Sequence, residues 1–121
     1  AIRQTSIADH LFELLDLIEP DKAVDAYHVN HERGLVLVNL PTVEKRLRDR
    51  GLNFMAAEPL QIALQRHPAF FRNGLKYRFP LDPEQDGSGR TRQRKVWAFS
   101  LEWFKNNEMQ AGWLLEPGDG V

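Results

Sequence analysis

The 121 residues include no cysteine. That excludes disulfides, thiolate nucleophiles and Cys-ligated zinc together. Long hydrophobic runs are missing too. The most apolar stretch, Leu35-Val36-Leu37-Val38, ends at Asn39, far short of the roughly 20 residues that span a bilayer, so no membrane partner is expected. Glycine and proline are no more than ordinary in number, at 8 and 7 residues, which rules out a collagen-like chain and, with apolar residues throughout, a wholly disordered one. No GxxxxGK[ST] loop, GxGxxG turn or HExxH pair occurs, and the run Asp86-Gly87-Ser88-Gly89-Arg90 lacks the lysine and following helix of a phosphate cradle. His28 and His31 are three apart in a strand-and-turn context that does not put them on one face, and no third ligand accompanies them. No metal, cofactor or catalytic residue is therefore expected.

What is present suffices for one core, with 42% hydrophobic and 27% charged residues. One domain is expected over residues 1–111 with a loose tail over 112–121, in a chain that reads as a cytoplasmic piece of a longer protein. The net charge of −1 hides a segregation. Residues 1–32 hold seven Asp/Glu against two Lys/Arg, residues 33–105 hold fourteen Lys/Arg against seven Asp/Glu, and the tail adds three acids. A basic middle between acidic ends can offer a positive face to a polyanion although the total is near zero.

Ile7, Leu11, Leu14, Leu15 and Ile18 share one helical stripe, predicting a helix over 6–19 capped by Ser6 and stopped by Pro20, with Asp9, Glu13 and Asp16 on its outer face. Residues 26–29 and Leu35–Val38 are β-prone runs joined by a polar turn ending in Gly34, and the second run, apolar on both faces, is expected to be the more buried. Pro41 and Gly51 bound a helix over 41–50. Pro59 and Pro68 bound another, with Leu60, Ala63, Leu64 and His67 on one face and Gln61, Gln65 and Arg66 on the other. Residues 75–79 alternate apolar and basic, and 96–101 form the last strand. Between these strands, residues 82–94 make a flexible, basic hairpin tip carrying Arg90, Arg92 and Arg94, with Lys95 beside them. Trp97 and Phe99, two apart on one strand face, are expected in the core rather than in a base-stacking platform. Trp113 is left open between the two.

The order helix, strands, helix, helix, strand, basic loop, strand predicts an α+β, winged-helix-like domain, a helical core with a small antiparallel hairpin as wing. In such a domain Gln61, Gln65 and Arg66 can read base edges. Lys76, Arg78, Arg90, Arg92, Arg94 and Lys95 can meet phosphates. DNA, duplex or single-stranded, is the expected partner. Docking to a protein, through the same basic face or Trp113, is the alternative.

The segment Tyr27-His28-Val29-Asn30, followed by Arg33-Gly34-Leu35-Val36-Leu37-Val38-Asn39-Leu40-Pro41, resembles the C-terminal domain of conjugal DNA-nicking enzymes, the MobH-class TraI-type relaxases of conjugative mobile elements. The likeness extends from the first helix to the Val96-Trp97 strand. It implies a winged-helix-like accessory domain, with nicking carried out by a separate N-terminal metal-dependent domain and with conjugation or replication proteins as the partners of the docking alternative, and no catalytic residue of this chain matches. One departure is Leu40, which stands where the family has a small or polar residue before the proline.

Overall fold

A computed structural model of the chain describes residues 7–54 and 56–106. The predicted cap Ser6, the tail and Trp113 lie outside the described residues. The first helix, α1 (Ile7–Leu14), buries Ala8, Leu11 and Phe12, then tightens into a 3-10 turn over Leu15–Leu17. It is shorter than the apolar spacing predicts. Ile18 is already extended, with φ −86° and ψ 126°, and the residue before Pro20 is barred from continuing the helix. Ile7, counted in the apolar stripe, is exposed, while Leu11, Leu15 and Ile18 are buried.

Strands β1 (Tyr27–Asn30) and β2 (Leu35–Val38) form the predicted hairpin, β1 one residue later than expected. Helix α2 (Leu40–Asp49) starts on Leu40, whose side chain is buried. Leu40 is thus a core anchor, and the capping residue Asn39 donates its amide to the Asp25 carbonyl oxygen at 3.2 Å. Gly51, with φ 83°, ends the helix. Its N–H donates to the Arg48 carbonyl at 2.9 Å, and that of Leu52 to Leu47 at 3.0 Å, the paired bonds of a Schellman motif. Helix α3 (Glu58–Arg66) has Pro59 in its first turn and Leu60 and Leu64 inward. It ends where His67, extended before Pro68, leaves the helical region.

The remaining strands are β3 (Phe70–Arg78) and β4 (Gln93–Ser100), followed by a short helix, α4 (Leu101–Asn106). The four strands make one antiparallel sheet in the order β1-β2-β4-β3, so the chain is a mixed α+β fold and the sheet is larger than the small hairpin expected. Two register shifts interrupt β3, at Phe71 and Gly74. They broke the alternation over 70–74 and concealed half of this strand. Gly74, at φ 81°, supplies the left-handed backbone that the second bulge uses. Bulges also blunt an edge strand against pairing with other chains.

All four residues of β2 are buried, as expected of a strand apolar on both faces. Val36, Val38, Trp97 and Phe99 face the helices and join Leu11, Phe12, Val43, Leu47, Leu64 and Phe104 in the main core. Leu35, Leu37, Val96 and Ala98 face the other way and pack with Phe79 in a second cluster. Trp97 and Phe99 are thus core residues. Asp9, placed on the outer face by the sequence, is instead half-buried, and its Oδ1 accepts from His67 Nε2 at 3.0 Å. The Ala69 N–H donates to His67 Nδ1, so the ring is held as the Nε2–H tautomer.

Candidate functional site

The segment after β3 does not reach freely into solvent. Phe79 is fully buried against the back of the sheet, and this draws the following residues inward. The Asp82 side chain has no exposed surface. Arg94 grips it through Nε–Oδ2 at 2.8 Å and Nη2–Oδ1 at 3.0 Å, and the Glu84 N–H adds a bond at 2.9 Å. The arginine contacts, foremost among the causes, hold the Asp82 carboxyl below its usual range and raise the Arg94 guanidinium. Further out, Arg92 pairs with Glu84 at 2.9 Å. Asp86 accepts from the hydroxyl and N–H of Ser88, from the Arg90 N–H and from Arg78 Nη1 at 2.8 Å. These bonds, led by those from Ser88, hold its carboxyl far below the ordinary value. Arg78 also donates to the Thr91 carbonyl.

The expected row of equivalent wing cations therefore divides. Arg78, Arg92 and Arg94 lie within an acidic-basic lattice internal to the loop. Arg90, Lys76 and Lys95 are exposed, and among the described residues their side chains have no ion-pair partner. The glycine-bearing tip, expected to be flexible, is a turn organised by Asp86. Charge counting could not separate these groups, because it does not know which carboxylate will face which guanidinium.

Lys76 and Lys95 are directly opposite each other in the β3–β4 register. Neighbours across an antiparallel pair share a face, and like charges placed so repel. Lys95 is two residues from Trp97, hence on the same face, where Trp97 pairs in register with Asn73. Asn73 and Trp97 contribute to a cleft of about 280 Å³ completed by Leu40, Pro41 and Glu44 of α2, by Ala56, and by Gln61 of α3. Within it Gln61 Nε2 donates to the Ala56 carbonyl at 3.2 Å. One Glu44 oxygen accepts the Ala56 N–H at 3.1 Å and the other lies 3.6 Å from Arg48.

Gln61, Gln65 and Arg66 are all exposed on α3, as predicted, but only Gln61 adjoins the sheet cleft. Asn73 went unrecognised; the Asn73-Gly74 dipeptide inside a strand-like run was the available signal. On the back face, the Tyr77 hydroxyl accepts from Asn30 Nδ2 at 3.3 Å and is hydrogen-bonded to His28 Nδ1 at 2.6 Å. Burial, then the nearby His31, lowers the pKa of His28. Among the described residues no group of three or more His, Asp or Glu could hold a metal ion, and no helix is long and apolar enough to cross a membrane.

Compared with known protein families, curated proteins and solved structures, the chain matches none.

Proposed function

We propose that this chain is a non-catalytic, DNA-binding module of winged-helix type, an accessory domain of a conjugative relaxase. The observation that carries the DNA-binding part is the junction of α3 with the β3–β4 hairpin. Gln61 shares a cleft with Asn73, and Lys76 and Lys95, without an ion-pair partner among the described residues, are exposed on the same sheet. The winged-helix reading is supported by the succession α1, β2, α2, α3, β3, β4, in which β2 pairs with β4 and β4 with β3. That arrangement sets a hairpin beside the last helix of a three-helix unit; β1 is then an added edge strand. The relaxase assignment rests on the resemblance carried by residues 27–41. Arg90, Lys76, Lys95 and Arg66 supply the phosphate contacts in this reading, whereas Arg92 and Arg94 hold the loop.

A fluorescence-anisotropy titration against duplex and single-stranded DNA at several salt concentrations tests it. Each phosphate neutralised on a duplex contributes about 0.9 to the slope of log affinity against log salt, so Lys76→Ala with Lys95→Ala should flatten the slope by nearly 2. Gln61→Ala or Gln65→Ala should change preference among sequences rather than overall affinity. Absence of salt-dependent binding to any DNA would defeat the proposal. It would favour docking to a transfer or replication protein, for which exposed Phe71, Ile62 and Leu81 are the apolar candidates.

A further inference from the structure

Resting on the DNA-binding reading, we infer that the cleft between α2, α3 and the sheet receives one unpaired base of a DNA strand, adenine in preference, while the adjoining phosphate bridges Lys76 and Lys95. Three features of the site point to this ligand. The cleft is a recess, and the edges of a base pair within a duplex cannot enter a recess, whereas an unstacked base can. Its lining combines apolar surface, from Leu40, Pro41 and the 7%-exposed Trp97, with two carboxamides and, among the described residues, no free charge. The only carboxylate among the described lining residues, Glu44, is already occupied by the Ala56 N–H and Arg48.

The carboxamides are suited to adenine. Gln61 uses its Nε2 on the Ala56 carbonyl, which leaves Oε1 to accept from an exocyclic amine. The Asn73 side chain has no hydrogen-bond partner among the described residues, so both its donor and its acceptor are available. An amide presenting donor and acceptor side by side matches the N6/N7 edge of adenine. Two residues from Trp97 on the same face, the Lys76–Lys95 pair places two ammonium groups where no carboxylate of the described residues neutralises them. A phosphate between them relieves their mutual repulsion, and the spacing from cleft to ledge is that of neighbouring residues on one strand face.

The test uses the 121-residue chain and four labelled probes: dA12, dT12, a duplex of the two, and rA12. Binding to dA12 about tenfold tighter than to dT12, and tighter than to the duplex, is expected. Asn73→Ala should reduce the dA12 preference to about threefold or less with an unchanged melting temperature, because the residue is exposed. Lys76→Gln with Lys95→Gln should weaken dA12 and dT12 equally and lower the single-strand salt slope by about 0.7, the contribution of the one phosphate they bridge. The Trp97 indole N–H resonance should shift on adding dA12 and stay in place with the duplex. Duplex binding as tight as dA12 binding, with Asn73→Ala silent, overturns the inference while leaving DNA binding intact. Tighter binding of rA12 than dA12 by tenfold overturns DNA as the occupant. Failure of all four probes to bind overturns the DNA-binding reading itself.

Discussion

Arg94 holds Asp82 in a two-pronged grip at 2.8 and 3.0 Å, and the Asp82 side chain is entirely buried while Arg94 retains 18% exposure. Taking away one member of such a pair strands the other charge, which costs about 3–5 kcal/mol when both are buried. The residual exposure of Arg94 places Arg94→Ala near the lower end. Arg90→Ala, whose side chain has no such partner, should stay within about 0.5 kcal/mol of wild type. Urea melts of the two variants decide between a wing of interchangeable arginines and one in which Arg94 is structural. Equal midpoints would show that the pair contributes nothing.

Trp97 fills the helix-facing core beside Phe70, with ring centres 6.0 Å apart. Trp97→Ala should cost about 3–5 kcal/mol through lost burial and the cavity left behind, a large share of the stability of a domain this small. A loss under about 1 kcal/mol in a urea melt would mean that the indole is peripheral.

Lys95→Glu converts the directly opposed like-charged pair with Lys76 into an attractive one. Cross-strand pairs of opposite charge contribute about 0.2–1 kcal/mol, so the variant should melt higher than wild type while binding DNA more weakly at every salt concentration. Opposite movements of stability and affinity are the signature of a residue kept for its ligand. A variant that binds DNA as tightly as wild type would remove Lys95 from the interface.

Burial of His28 carries a pH dependence. Burial, then His31, lowers the His28 pKa from 6.5, so in the window just below that value the unfolded chain binds more protons than the folded one. The contribution to stability is accordingly complete above about 6.5 and declines as pH falls through the lowered value. Urea midpoints should drop between pH 7.5 and pH 5.5, and His28→Gln should flatten that part of the curve. An unaltered curve in the variant would assign the dependence to other groups.

Much of the helical framework was legible from local chemistry. Pro41 with Gly51, and Pro59 with Pro68, bound helices through backbone restrictions that act within a turn, and Leu35–Val38 declared a strand buried on both faces because all four side chains are apolar. The exposed face of α3 followed from periodicity alone. Tertiary structure decided what the sequence left undetermined. The bulges at Phe71 and Gly74 erased the period-2 signal in β3, since each inserts a residue with no partner on β4. Asp9 left the outer face of its helix because His67, fifty-eight residues away, supplied a donor. The basic tip looked uniformly available, yet burial of Phe79 carried Asp82 to Arg94 and divided the cations into those that hold the loop and those free to meet a ligand. The cleft joining Gln61, Asn73 and Trp97 likewise exists only in three dimensions. Helix stripes and proline stops depend on neighbours a few bonds apart. Ion pairing and cleft formation depend on which distant segments the core brings together, and composition and spacing do not record that.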